Sequence, residues 1–221
     1  GEGGSGEIKP ADSFREAVAS RRKEYRLSLG ESMLMKRTQP GRTLIPKTRR
    51  PVIKIGSAVL TGTGGGLDQK RIEQLVGEIA SVMEDGREVI IVSSGAIAAG
   101  LAKLGLKKTR GMPLPLKQAA AAVGQSGLMR MYENTFGMLG RNVAQVLLTR
   151  EDLSNRSRFL NARNTLHTLL EYGVVPIINE NDTVAVDEIK FGDNDSLSGM
   201  VVHVVDADLL VILSDIDELY T

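Results

Sequence analysis

The chain has 221 residues, 42% of them hydrophobic and 25% charged, which is enough to bury a core and is the composition of an ordinary globular protein. The absence of cysteine excludes disulfides and thiolate metal sites and fits a reducing cytoplasm, and two histidines are too few to predict a histidine-based metal centre. No apolar run approaches the ~18 residues of a membrane span, so we do not expect a membrane-embedded protein.

The first 50 residues form a basic extension, with 12 Lys or Arg against 6 Asp or Glu. Such an arm could contact nucleic acid or an acidic partner, but no aromatic-rich basic groove accompanies it, so we interpret it as a largely flexible, solvated segment. One polar helix is predicted over 13–29, and residues 38–51 contain three prolines and a glycine typical of a linker. We therefore place the domain boundary near residue 50.

Short runs of β-branched residues then alternate with amphipathic segments. The predicted strands are 51–56, 88–93, 143–149, 174–179 and 209–213. The predicted helices are 68–84, 95–104, 115–139 with a break near Gly124, 156–172, and one that opens near Asp195. This alternation predicts an α/β fold with a mainly parallel sheet covered on both faces.

Small, polar or acidic residues follow four of the predicted strands. In open parallel sheets, ligands bind at the carboxyl ends of the strands, so these residues are predicted to converge on one site. They are Gly56 and Ser57, then Ser94 to Ala96, then Asn179 to Asp182, and finally Ser214 and Asp215.

Lys54 lies inside the first strand, between Ile53 and Ile55. A lysine in a strand usually extends its ammonium group to solvent. Here the strand is short and leads into Gly56, so the ammonium group could instead point to the site at the strand end. Paired with the acid-rich turns, this lysine suggests an enzyme that handles phosphate and an amino acid.

The remaining candidates each allow a structural interpretation as well. Ser94 is suited to cap a helix whose free N–H groups could also bind an anion, and Val92 two residues earlier excludes a nucleophile elbow. Asp182 could be a turn residue, and the run 193–195 could cap and charge the next helix. The spacing of that run does not fit an EF-hand.

Other polar residues are interpreted as structural. The turn 62–66 matches neither glycine-rich nucleotide-binding motif, and His167 and His203 lie on helical patterns. Three arginines of the predicted helix 156–172 form a solvated face: they are Arg156, Arg158 and Arg163.

Seven segments together resemble the glutamate 5-kinase family of the amino-acid-kinase superfamily, which opens proline synthesis. The resemblance covers residues 51–221 and excludes residues 1–50. The segments are Lys54 to Thr61, Ser93 to Gly100, Ala121 to Ser126, Leu147 to Arg150, Phe159 to Arg163, Asn179 to Asp182 and Gly192 to Asp195.

This resemblance implies a three-layer αβα sandwich that uses ATP, L-glutamate and Mg²⁺, with no protein metal ligand assigned. It implies that Lys54 contacts the transferred phosphoryl group and that Asp195 orients this lysine. It further implies that Ser94, Asp182 and Asn194 bind glutamate, while Ser214 and Asp215 contact the nucleotide. A cytoplasmic homo-oligomer with a functional link to glutamyl phosphate reductase is also expected.

The family pattern continues beyond Thr221, with a glycine-rich segment and a second phosphate-binding lysine. We therefore expect residues 51–221 to be an amino-acid-kinase domain cut short at its C-terminus. The alternatives are another superfamily kinase, such as an acetylglutamate or aspartate kinase, and a fragment that binds glutamate without turnover.

Overall fold

The structure is a computed structural model that describes residues 45–62, 64–185 and 194–215. The predicted helix 13–29, most of the predicted linker and residues 192 and 193 lie outside these ranges. Five strands alternate with helices along the chain. The strands are β1 (Pro51–Ile55), β2 (Ile90–Ser93), β3 (Val143–Leu148), β4 (Val175–Glu180) and β5 (Leu209–Leu213). The helices are α1 (Ser57–Leu60), α2 (Gln69–Glu84), α3 (Ala96–Lys103), α4 (Leu114–Met138), α5 (Arg150–Ser154), α6 (Arg156–Glu171) and α7 (Asn194–Val204).

All four strand pairings are parallel, in the order β3-β4-β2-β1-β5. Alternate side chains of each strand enter two different cores. Ile53 and Ile91 join the core under α2 and α4, whereas Val52 and Val92 join the core under α6 and α7. The helices therefore cover both faces of the sheet, and the predicted α/β architecture with three layers is confirmed.

Helix ends follow local signals in the sequence. The carboxylate of Asp68 accepts hydrogen bonds from two backbone N–H groups at the start of α2. Thr149 and Asp152 form a reciprocal capping box that starts α5, a short helix that the periodicity does not predict. Within the described ranges, no helix combines the length and the apolar character needed to cross a membrane.

The predicted break near Gly124 is wrong, because α4 runs unbroken for 25 residues. Its glycine serves the packing of α4 against α3. A Cβ on Gly124 would lie 1.8 Å from the Ala96 carbonyl oxygen, and a Cβ on Gly100 would lie 1.7 Å from the Ala120 carbonyl oxygen. The two helix backbones therefore touch at this crossing, and only glycine fits at either position.

Candidate active site

The carboxyl ends of the parallel strands bring the predicted loops to one edge of the sheet. The backbone N–H of Gly56 donates to the Leu213 carbonyl at 2.9 Å, and that of Ser94 donates to the Ile55 carbonyl at 2.9 Å. The loops that follow β1, β2 and β5 are therefore direct neighbours, as the sequence predicted.

Lys54 is a buried cation at this edge. Its side chain is 1% exposed, and its Nζ lies 2.7 Å from Oδ1 of Asp195 in the first turn of α7. Lys54 shares a face of the sheet with Val52, so its side chain runs under α7 and does not extend to solvent as a strand lysine usually does. Asp195 is 48% exposed, so the pair has one buried partner and one partner in contact with water.

Gly56 borders the ammonium group of Lys54. A Cβ at this glycine would lie 3.7 Å from Lys54 Nζ and 3.2 Å from the Leu213 carbonyl oxygen. A side chain here would therefore occupy the space next to the ammonium group. Ser214, the first residue after β5, has its Cα 3.9 Å from the same point.

Asn194, the neighbour of Asp195, connects α7 to the loop after β2. Its Nδ2 donates to Ser94 Oγ at 2.8 Å and to the Ser93 carbonyl at 3.1 Å. Ser94 does not cap α3, because Gly95 occupies the N-cap position with a φ of 104°. The hydroxyl of Ser94 is thus available to the site, with its oxygen accepting from Asn194.

A third contact of Asn194 leads to two residues that the sequence pattern did not single out as ligands. Asn194 Nδ2 also lies 3.0 Å from Asn179 Oδ1, so its two hydrogens are shared among three acceptors, and Asn179 Nδ2 donates to Gln125 Oε1 at 2.9 Å. Gln125 lies midway along α4, within the motif 121–126 that carries the resemblance. Its small neighbours give no signal that this amide faces the strand end.

Asp182 lies in a cavity of about 240 Å³ beside the amides. Glu180, Gln125, Gln145 and Thr183 are also part of its wall. Burial raises the pKa of Asp182, and burial followed by the charge of Asp182 raises the pKa of Glu180. The cavity is therefore an acidic, partly desolvated recess suited to an ammonium group.

The structure places the predicted residues in two connected groups and one exposed pair. Lys54, Asp195, Asn194 and Ser94 lie together, and Asp182 lies in the neighbouring cavity, reached through Asn179 and Gln125. Ser214 and Asp215 are exposed at the end of β5, beside Gly56.

The residues interpreted as structural lie elsewhere. The turn 62–66 contributes Gly62, Gly64 and Gly66 to a separate open groove with Asp68. His167 packs beside Asp206, with its Nε2 3.7 Å from Oδ2, and His203 is exposed.

The donor set fits a magnesium ion that arrives with nucleotide phosphates. In the described part of the chain, no three His, Cys, Asp or Glu residues are grouped so that they could hold a metal ion by themselves. Magnesium usually keeps several waters and binds one or two carboxylates together with substrate phosphates. The half-exposed carboxylate of Asp195 satisfies that requirement.

The chain shares most of its length with known kinases. The profile of the amino acid kinase family matches residues 49–221. The chain is 60% identical over 177 residues to the glutamate 5-kinase of Geobacter metallireducens, which covers 80% of this chain and 47% of the relative. It is 57% identical over 177 residues to the glutamate 5-kinase of Geobacter sulfurreducens, and this match covers 80% of this chain and 47% of the relative. It is 54% identical over 174 residues to the glutamate 5-kinase of Methylococcus capsulatus, and this match covers 79% of this chain and 46% of the relative.

These matches confirm the resemblance carried by the seven sequence segments. The chain spans about half the length of the curated relatives it matches. Three observations support the same family: the all-parallel sheet, the buried lysine at its carboxyl edge, and the match of the family profile to residues 49–221. The chain belongs to the amino acid kinase family.

Proposed function

We propose that this protein transfers the γ-phosphoryl group of ATP to the side-chain carboxylate of L-glutamate, forming γ-glutamyl phosphate for proline biosynthesis. The observation that carries the proposal is the position of Lys54. Its buried ammonium group is held by Asp195 at the same edge as the Asn194 and Ser94 side chains. The similarity to glutamate 5-kinases supplies the substrate.

The residue types suit this chemistry. The glutamate side chain has a pKa of about 4.3 and is ionised at neutral pH, so its oxygen needs no general base before it attacks phosphorus. The attacking oxygen forms a new O–P bond while the bond from the γ-phosphorus to the β,γ-bridging oxygen breaks and ADP leaves. Two anions must meet, so positive charge and positioning are the main requirements.

Each predicted residue has a role in this reaction. Lys54 contacts the transferred phosphoryl group, and Asp195 orients its ammonium group. Ser94 and Asn194 bind glutamate, and Asp182 pairs with the α-ammonium group. Ser214 and Asp215 contact the nucleotide from the exposed end of β5. Asp195, together with the nucleotide phosphates, would hold Mg²⁺, and the ion would supply positive charge to neutralise the phosphate oxygens.

The product is an acyl phosphate that hydrolyses readily, so a reductase that consumes it quickly is the natural functional partner. We place both in the cytoplasm, where ATP and glutamate are abundant. A homo-oligomeric state and a domain boundary near residue 50 complete the proposal.

A coupled assay of glutamate-dependent ADP release tests the function. Trapping with hydroxylamine identifies an acyl phosphate, because the hydroxamate forms only from an activated carboxylate. N-acetylglutamate and aspartate are the control acceptors. Turnover with either in preference to glutamate would overturn the substrate assignment. Glutamate binding by calorimetry without ADP release or hydroxamate would instead indicate a binding protein without turnover.

A further inference from the structure

Gln125 is a buried glutamine whose side-chain amide forms a hydrogen bond to a described residue through its oxygen but not through its nitrogen. The residue is 9% exposed, its Oε1 accepts from Asn179, and its Nε2 has no partner among the described residues. A buried donor without a partner is costly, so an amide that keeps this orientation needs a physical reason. The reason lies in the polarity of the neighbouring amides.

The amide series runs from Gln125 through Asn179 to Asn194, and backbone groups fix the polarity of its last two members. The backbone N–H of Glu180 donates to Asn179 Oδ1 at 2.9 Å, so the oxygen end of the Asn179 amide must face Glu180. The carbonyl of Ser93 accepts from Asn194 Nδ2, so the nitrogen end of that amide must face Ser93. Asn179 Nδ2 is thereby directed at position 125 and needs an acceptor there, which Gln125 Oε1 supplies.

The same polarity reaches the substrate side. Asn179 Oδ1 accepts from Asn194 Nδ2, and Asn194 Nδ2 donates to Ser94 Oγ. Because the oxygen of Ser94 accepts this bond, its own O–H is the end that can donate to a carboxylate. Rotation of the Asn179 amide by half a turn would bring its N–H₂ against Asn194 Nδ2 and the Glu180 N–H, and both would lose an acceptor.

We propose that Gln125 is a positioning residue. Backbone groups set the polarity of the Asn179 and Asn194 amides, and Gln125 Oε1, by accepting from Asn179 Nδ2, holds Asn179 and through it Asn194 in place, so that Asn194 and Ser94 are preorganised for glutamate. This proposal rests on the proposed function, which assigns Asn194 and Ser94 to glutamate. Gln125 acts through these residues, whereas Lys54 and the nucleotide contacts lie outside the series. Its loss should therefore weaken glutamate binding more than ATP binding.

Gln125→Met in the intact protein is the test, because methionine keeps the length of the side chain and removes the acceptor. We expect the dissociation constant and KM for glutamate to rise about tenfold, while KM for ATP changes less than about twofold, since a buried donor is left without its acceptor. Gln125→Glu retains an acceptor oxygen, so its loss of glutamate affinity should be smaller than that of Gln125→Met.

Side-chain amide signals in NMR spectra provide a readout that does not depend on turnover. In the unmodified protein, the Asn179 and Asn194 N–H₂ groups should exchange slowly with solvent. Gln125→Met should shift both signals and speed their exchange, and Gln125→Glu should preserve the Asn194 signal. Gln118→Met is the matched control: Gln118 lies on the same helix and donates to the Ala185 carbonyl at 3.1 Å, outside the amide series. It should leave the Asn194 signal in place.

The outcomes separate this inference from the proposed function. If the unmodified protein neither binds nor phosphorylates glutamate, the proposed function fails. If it does both and Gln125→Met shows an unchanged glutamate constant or unchanged Asn194 signals, the positioning role is overturned. Equal changes in the glutamate and ATP constants would also overturn it, since they indicate a general loss of packing.

Discussion

The two halves of the site hold their polar groups by different means. At Lys54 a buried cation meets a half-exposed carboxylate, so the contact depends on charge and one partner reaches water. At Asn179 and Asn194 the contacts are between neutral amides, both nearly buried, and they depend on direction. The attraction within an ion pair changes little with small displacements, whereas the hydrogen bonds between the amides are lost when one side chain rotates. Under the proposed function, the first half would act on the moving phosphoryl group and the second would select the carboxylate substrate.

Removal of the Lys54 charge should affect only the half of the site that contains Lys54 and Asp195. We expect Lys54→Met to lower kcat for glutamate-dependent ADP release by about 10²–10³-fold or more, the size of effect seen when a preorganised charge-stabilising group is lost. The fold should survive, because methionine fills most of the volume and Asp195 is hydrated without its partner. Thermal melting measures the second effect. Lys70→Met, at an exposed position of α2, should leave both kcat and Tm unchanged.

One added methyl group should disrupt the close crossing of α3 and α4, next to Gln125. Gly124→Ala would place its Cβ against backbone atoms of α3, so we expect a loss of about 2–3 kcal/mol or more in the free energy of unfolding. Urea titration checks this. Gly127→Ala, three residues along the same helix and facing open space, should instead stabilise the protein by about 0.5–1 kcal/mol. Equal effects at the two positions would contradict the close crossing.

Acidification should sharpen the comparison, because the cavity beside the amides contains carboxylates. The pKa of Asp182 is raised by burial above its usual 3.8, so its charge is lost at a higher pH than that of a free aspartate. Glutamate affinity should therefore fall as the pH is lowered toward the raised pKa of Asp182, because the charge proposed to attract the α-ammonium group is lost. Calorimetry at a series of pH values measures this fall.

Asp182→Asn is the control for this pH dependence. The variant should bind glutamate weakly at neutral pH and lose the part of the pH dependence that Asp182 contributes. Because the folded-state pKa is raised, ionisation of Asp182 opposes folding, and this penalty shrinks as the pH falls through the folded-state pKa and is gone below the pKa of the unfolded chain. The Asp182→Asn variant should therefore be no less stable than the unmodified protein at pH 7. A lower Tm would contradict the burial argument.

A site far from both halves should show the smallest effect. Asp206 has a φ of 50° and pairs with Arg163, Nη2 to Oδ2, at 2.6 Å, with both side chains partly exposed. Asparagine tolerates the same left-handed backbone, so Asp206→Asn removes only the charge of an exposed pair. We expect a loss below about 1 kcal/mol in urea titration and unchanged kcat. A change in KM for glutamate would show that this surface is coupled to the site.

The sequence predicts the parts of the fold that depend on local pattern. The predicted strand 209–213 has the same ends as β5, and the helix predicted from residue 156 begins there. The prediction for Gly124 is wrong, because a glycine in a helix looks the same in sequence whether it breaks the helix or admits a neighbouring backbone. Its role depends on Gly100, whose proximity is a property of the folded chain.

The candidate site divides in the same way. Lys54 and the residues at the strand ends are predictable, because a strand period and a parallel sheet determine where they emerge. Gln125 is not, since it lies on a long helix whose apolar residues are spread around the axis, and its partner Asn179 is 54 positions away in sequence. The order β3-β4-β2-β1-β5 is likewise inaccessible, because strand neighbours are chosen by packing over long separations.

The glycine crossing of α3 and α4 also limits how this protein can change over evolutionary time. With no space for a Cβ at either glycine, the two helices are expected to shift only as one body that includes Gln125. New acceptor preferences are then accessible mainly through substitutions on the turn after β4, where Thr183 and Val184 are exposed. Amino-acid substitutions should therefore be common on that turn among related sequences and rare at Gly100 and Gly124.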